Sequence, residues 1–209
     1  MYSEKIKTAN VRKHPYPHIT IENFFEINDL KLVKDTFDAE QKNFEYNCES
    51  YWGGSGDKEF CDLMHKIGSK EIYDTLNDVF AVKNKTEYES HIFDHGFKLD
   101  TKDTELQTHW HRDQGMLFSM QVFFSDNQYE NGGTQLCSNH DIQNDVIEYP
   151  LKHNFCTIWP CVANSWHRVE QRGYERKSVL MRWVNPKRLE MEEKQSQDVY
   201  DVEFVEVDL

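Results

Sequence analysis

The sequence predicts an α+β chain that is mainly β. Three observations carry this: apolar residues at helical spacing lie only in the first part of the chain, eight short β-prone runs follow from about residue 88, and turn residues separate those runs. Helices first and strands second place the helices against one sheet, and short runs without βαβ alternation suit an antiparallel sandwich or barrel.

Taken in order, "HITIENFF" (18–25) alternates polar and β-prone residues behind Pro15 and Pro17, and predicts an opening strand. In "INDLKLVKDTFDAEQ", Asn28 or Asp29 can cap a helix whose Leu30, Val33 and Phe37 share one face. Two further helices follow from Phe60, Leu63, Met64 and Ile67, and from Ile72, Leu76, Val79 and Phe80. "YWGGSGD" (51–57) lacks both the preceding strand and the GK[ST] ending of a phosphate cradle, so it reads as a plain flexible loop. The eight β-like runs are "YESHIFDHGFKL", "ELQTHWH", "MLFSMQVFFS", "GGTQLCS", "DVIEYPL", "FCTIWP", "WHRVEQ" and "ERKSVLMRWV", with turns expected at Asn131-Gly-Gly and Arg172-Gly173. The closing stretch "LEMEEKQSQDVYDVEFVEVDL" reads as a charged surface appendage ending in an edge strand. The expected organisation is one domain over 1–209: N-terminal strand and helices at 1–87, a β core at 88–185 and a tail at 186–209.

Composition narrows the function classes. Thirteen Phe, 10 Tyr and 5 Trp supply a core even though only 38% of residues are apolar. A formal charge of −13 argues against non-specific nucleic-acid binding, which needs clustered Lys and Arg. The N-terminal stretch has no signal-like apolar run and no segment approaches a membrane span, so a soluble, cytoplasmic protein is expected. Five cysteines (48, 61, 137, 156 and 161) without a CxxC pair suit reduced thiols, with Cys156 and Cys161 as core residues.

The chemistry concentrates in "THWHRDQGML" (108–117). Among ten histidines one HxD pair is unsurprising, so the motif alone is a weak signal. In an extended strand residues two apart share a face, which leaves two candidate metal pairs: His109 with His111, or His111 with Asp113. A third piece lies in "WHRVEQRGYERKSVLMRWV", where His167 begins one strand, Arg172-Gly173 turns it, and a returning strand carries Arg176 and Ser178 on one face. A hairpin of that kind sets Arg176 and Ser178 beside His167. Two His and one carboxylate form a facial triad on Fe(II) that leaves positions for a bidentate 2-oxo acid and O₂. A distal carboxylate on that acid would meet the planar fork of Arg176, with the Ser178 hydroxyl beside it.

The HxD of "HWHRDQ", the Gly-Gly-Thr after it, "WHRV", and the R-x-S nine residues beyond His167 together resemble the 2-oxoglutarate- and Fe(II)-dependent dioxygenases of the prolyl-4-hydroxylase-like branch. The likeness covers roughly residues 88 to 184, and "PYPHITIENFFE" resembles the family's first strand entering its first helix. The resemblance implies a double-stranded β-helix, or jelly roll, with supporting N-terminal helices. It implies His111, Asp113 and His167 as iron ligands, and Arg176 and Ser178 as holders of 2-oxoglutarate. The implied cofactors are Fe(II), 2-oxoglutarate, O₂ and ascorbate. The implied reaction is hydroxylation of a C–H bond with release of succinate and CO₂, on a prolyl or other amino-acid side chain or a small molecule. The presence of Asp113 matches hydroxylating members and not halogenases. Relatives place a tyrosine on the strand before HxD; here the nearest equivalents are His91 and Phe93, with Tyr88 close by. The polar insert "KLDTKDTELQT" predicts a lid or substrate loop.

Blander roles remain for the neighbours. His109 is expected not to ligate, Arg112 to face away from the site, Arg182 to lie too far along its strand to share Arg176's carboxylate, and Trp110, Trp159, Trp166 and Trp183 to be core. The rival class is a jelly-roll metal-binding protein or zinc hydrolase without 2-oxoglutarate turnover, which would have no need of Arg176.

Overall fold

The computed structural model describes residues 1–46, 51–101, 109–113, 115–170, 173–185 and 205–207. Four helices, α1 (Tyr2–Thr8), α2 (Ile27–Glu40), α3 (Lys58–Ile67) and α4 (Lys70–Val79), surround the early strands β1 (Ile19–Glu22), β2 (Glu45–Tyr46) and β3 (Tyr51–Gly53). Then come β4 (Ile92–Asp100), β5 (Met116–Phe123), β6 (Tyr129–Cys137), β7 (Ile147–Leu151), β8 (Phe155–Pro160), β9 (Trp166–Val169) and β10 (Arg176–Val184). They form a seven-stranded sheet, β1-β8-β5-β10-β4-β3-β2, and a three-stranded sheet, β7-β6-β9. All the strand pairs are antiparallel, as a jelly roll requires.

The large sheet has two chemically different faces, and the period of two along each strand creates them. On β10, Val179, Met181 and Trp183 are buried with Phe97 of β4, Met120 and Val122 of β5, and Cys156 and Ile158 of β8. This face receives the helices. Phe37 of α2 and Phe60 of α3 pack on Phe97 at ring-centroid distances of 5.4 and 4.7 Å, and Phe80 after α4 packs on Phe118 at 6.1 Å. Val33, Phe37, Phe60, Met64, Ile67 and Leu76 are fully removed from solvent. Each such side chain contributes about 1.5–3 kcal/mol on burial.

The opposite face carries Arg176 and Ser178 of β10, Lys98 and Asp100 of β4, Ser119 and Gln121 of β5 and Thr157 of β8, all buried. The small sheet lies over it. Thr134 Oγ1 of β6 donates to Gln121 Oε1 at 2.8 Å, and Arg176 Nε donates to the Gly132 carbonyl at 2.6 Å. The apolar core is therefore on the helix side, and a polar cleft lies between the sheets.

Several expectations change. The helix α1 was not foreseen; its Tyr2 and Ile6 are buried, and the Tyr2 hydroxyl donates to Asp29. Neither Asn28 nor Asp29 caps α2: Glu26 holds the N-cap position, and both residues fall in the first turn. The expected loop at 51–57 begins as β3, because Tyr51–Gly53 completes hydrogen bonding along β4. Asn131-Gly-Gly is not a turn but lies inside β6, where the pairing with β7 shifts register around Gly132. The strand expected at "ELQTHWH" is seen only as one bridge, His111 to His167; residues 102–108, and with them most of the expected lid, lie outside the described residues. Most of 186–209 is likewise outside. Val205–Val207 returns to the body, with Val205 buried and Val207 bridged to Val82. Among the described residues no helix is long and apolar enough to cross a membrane. Cys61, Cys137, Cys156 and Cys161 are free thiols, and Cys156 and Cys161 are buried as expected.

A candidate metal centre between the sheets

His167 is carried by β9, at the edge of the small sheet, where it pairs with Leu136 of β6. His111 adds one rung beyond that edge: its N–H donates to the His167 carbonyl at 3.0 Å, and the His167 N–H donates back at 2.9 Å. The reciprocal pair holds the two rings with centroids 4.2 Å apart. Two positions later the chain has left the strand, and Asp113 is fixed instead by its side chain, which accepts from the Ser119 hydroxyl of β5 at 2.6 Å. One ligand atom each from His111, Asp113 and His167 lies within 4.8 Å of the others. His167 Nε2 is 3.5 Å from Asp113 Oδ2.

Each imidazole has Nδ1 beside a backbone carbonyl two residues earlier, His109 O at 3.4 Å for His111 and Ser165 O at 3.2 Å for His167. A proton on Nδ1 donates to that carbonyl and leaves the Nε2 lone pair for a metal. Burial lowers the His111 pKa to about 3, with the neighbouring charge of His167 acting in the same direction. At Asp113 burial pushes the pKa up, but the charge of His167, the Ser119 hydrogen bond, and the charges of His111 and Arg182 outweigh it and hold it low. Neutral imidazole and ionised carboxylate are the forms that coordinate metals.

The expected hairpin between His167 and Arg176 does not exist. β9 belongs to the small sheet, whereas β10 lies at the centre of the large one between β5 and β4. The two are brought together by the facing of the sheets. Arg176 is fully buried, with Nε donating to Gly132 O and Nη2 to Glu170 O, so the guanidinium is fastened to the small sheet. Ser178 accepts from Gln121 Nε2 at 3.3 Å, which leaves its own proton to donate.

Other residues separate as expected or nearly so. His109 is exposed, 6.2 Å ring to ring from His111. Arg112 points away, with Nη1 donating to Ala163 O at 2.6 Å and its guanidinium lying over Trp166. Trp110, Trp159 and Trp183 are buried; Trp166 is only partly so, stacked on His140 at 3.8 Å. Arg182 donates to Asp94 on β4 at 2.5 Å. Tyr88 does not stand in for the family's tyrosine, since its hydroxyl donates to Gly68 O beneath α3. His91 and Phe93 are also elsewhere: His91 is hydrogen-bonded to Thr86, and Phe93 packs on Trp183 on the helix face.

The cleft residues missed from the sequence are Lys98, Asp100, Ser119 and Gln121. Lys98 lies opposite Ser178 and Asp100 opposite Arg176 across the β4–β10 pair, so all four share the cleft face. Lys98 Nζ is 3.8 Å from Asp100 Oδ1, and its charge reaches His111. The available signal was the alternation in "GFKLD", where two charged residues interleave with core-forming Phe97 and Leu99.

No protein-family model and no curated protein sequence matches the chain. Solved structures do. A prolyl-4-hydroxylase from Pseudomonas putida superposes with a TM-score of 0.60 at 11% identity, covering 88% of this chain and 99% of the other. A prolyl hydroxylase from Trichoplax adhaerens, solved with a hypoxia inducible factor oxygen degradation domain peptide, gives 0.56 at 12% identity, covering 94% and 92%. A 2OG-Fe(II) oxygenase family oxidoreductase from Burkholderia pseudomallei gives 0.57 at 11% identity, covering 88% and 89%. At these identities the likeness is one of architecture: the chain has the jelly-roll fold of the prolyl-4-hydroxylase-like 2OG-Fe(II) oxygenases.

Proposed function

We propose that this protein is a 2-oxoglutarate- and Fe(II)-dependent dioxygenase that hydroxylates a C–H bond. The observation that carries the reading is the meeting, in one cleft, of the His111–Asp113–His167 cluster with the buried Arg176 and Ser178. His111, Asp113 and His167 would hold Fe(II), and Arg176 and Ser178 would hold the far carboxylate of 2-oxoglutarate. When bound, iron and 2-oxoglutarate supply oxidative decarboxylation by O₂, giving succinate, CO₂ and hydroxylated product.

Charge supports the same reading. Among the described residues the charges of Lys98 and Arg176 are matched in the cleft by those of Asp100 and Asp113. A divalent cation leaves an excess of two positive charges, which a dicarboxylate neutralises and a monoanion or neutral molecule does not. The side chains do the rest of the work. Ser119 keeps Asp113 aimed at the cluster; the carbonyls of His109 and Ser165 set the imidazole tautomers; the carbonyls of Gly132 and Glu170 keep the Arg176 fork in place. Lys98, buried opposite Ser178 across the β4–β10 pair, would add a second cation for the acid.

The test is anaerobic addition of Fe(II) and 2-oxoglutarate to the purified protein. A visible absorption band that needs both additions is expected, lost in Asp113→Ala, and Lys98→Met should weaken 2-oxoglutarate about tenfold, or roughly 1.4 kcal/mol. Absence of any band, with metal binding indifferent to Asp113→Ala, would sink the proposal. A zinc hydrolase predicts metal binding without 2-oxoglutarate-dependent change.

A further inference from the structure

At the β4–β3–β2 end of the large sheet, reaching the cleft face at Arg182, lies a cavity of about 470 Å³. Arg182 on β10 is its wall toward the cluster: it pairs across the strands with Ser119, whose hydroxyl holds Asp113, and its charge reaches that carboxylate. From Arg182 the cavity runs outward past Asp94, His95 and Gly96 of β4 and Gly53 and Gly54 at β3, to Asn43 and Glu45 at β2. Among the described residues, none that lines it is aliphatic or an aromatic hydrocarbon. An apolar ring seated there would strip water from Glu45 and from the second oxygen of Asp94 without replacing it, which is costly.

The glycines make the room. Gly96 sits on the cleft face between Asp94 and Lys98, and a Cβ there would touch only Gly53 O, at 3.4 Å. At Gly54 an added Cβ meets nothing within 4 Å. The charges in the cavity do not balance. Arg182 and Asp94 neutralise each other, Asp94 using one carboxylate oxygen, while Glu45 is exposed and forms no ion pair among the described residues. Among the described residues one negative charge is left over, at the end far from the cluster. The chain's formal charge of −13 adds a field that draws cations.

We infer that this cavity seats the molecule to be hydroxylated, and that this molecule carries a protonated amine or guanidine, as lysine and arginine do. The cation lies against Glu45 and the second oxygen of Asp94, and the carbon chain points back past Arg182 toward the metal cluster. Arg182 holds Asp94 in place and repels a misplaced cation from the metal. This rests on the oxygenase reading for its chemistry, while the binding claim can be checked apart from it.

The experiment titrates wild-type protein, loaded anaerobically with Fe(II) and 2-oxoglutarate, with L-arginine, L-lysine, L-glutamate and a proline-rich peptide, followed by calorimetry and by the visible band. Arginine or lysine should bind and perturb the band, with glutamate and the prolyl peptide at least about tenfold weaker. Glu45→Gln and Asp94→Asn should each weaken the cation severalfold, by up to about fivefold. Gly96→Val, whose side chain fills the cavity floor, should abolish binding while the band formed by iron and 2-oxoglutarate survives. The inference is overturned if neither basic amino acid binds, if glutamate or the prolyl peptide binds as well, or if cation binding ignores all three substitutions. Should wild-type protein form no band, the oxygenase reading fails, yet calorimetry with the same amino acids still decides whether the cavity selects a cation.

Discussion

His109 and His111 lie two positions apart and differ in what surrounds them. His111 is bound into the sheet edge through His167 and shares a carboxylate neighbour, whereas His109 is exposed and offers the cluster only its carbonyl. His111→Ala should therefore lower metal affinity by well over tenfold, while His109→Ala stays within a few-fold; a metal titration by calorimetry separates them. His18 is a second informative residue, far from any metal role. It is fully buried, with Nδ1 at 2.7 Å from Tyr16 O and Nε2 hydrogen-bonded to the Tyr149 hydroxyl. Burial, aided by the charges of Arg12 and His14 and partly offset by the Tyr16 carbonyl, takes its pKa from 6.5 down to about 4. Because the folded value is the lower one, the unfolded chain takes up the proton first. The stabilisation is complete above pH 6.5 and disappears as the pH falls toward 4, a loss of roughly 3 kcal/mol. In urea titrations His18→Gln should be less stable than wild type at pH 7, and the gap should close near pH 4; a gap independent of pH would show that His18 is not the titrating group.

At the scale of elements, β10 explains the most. Its odd positions, Val179, Met181 and Trp183, face the helices, and its even positions, Arg176, Ser178 and Arg182, face the cleft, so one strand serves core and site at once. The strand β6 has the complementary task of bringing β9, and with it His167, over that cleft. Gly133 permits this. An added Cβ would fall 2.5 Å from Tyr149 O and 2.8 Å from Pro150 O, backbone atoms of β7 that cannot swing aside. Gly133→Ala should cost about 2–3 kcal/mol and weaken metal binding through displaced β9, measurable as a lowered denaturation midpoint together with a poorer metal titration. Preserved stability in that variant would mean that β6 and β7 can part at little cost.

Across the whole molecule, the fold keeps its stability and its chemistry on opposite sides of the large sheet. The helix side is apolar and closed; the cleft side buries Lys98, Asp100, Arg176 and Ser178, the groups that the proposed metal and dicarboxylate would engage. Ligands that bind only the folded state raise its stability by mass action, by about 2.7 kcal/mol at a hundredfold excess over Kd. A non-oxidising divalent metal and 2-oxoglutarate together should raise the melting temperature by several degrees, more than either alone, and Asp113→Ala should remove the synergy. Much of this was legible in the chain. The helices α2 to α4 and seven of the eight β-like runs are local patterns, and HxD, the distant His167 and R-x-S are written in order. What neighbours what is not local. The sequence alone set the residue chemistry, the two periodicities and the list His111, Asp113, His167, Arg176 and Ser178. Only the tertiary structure decided that β9 and β10 part into different sheets, that Lys98 and Asp100 join the cleft, and that Arg182 walls a cavity reaching to Glu45. The physical reason is that periodicity fixes which face of a strand a side chain takes, whereas strand order and the facing of two sheets arise from contacts between residues far apart in the chain.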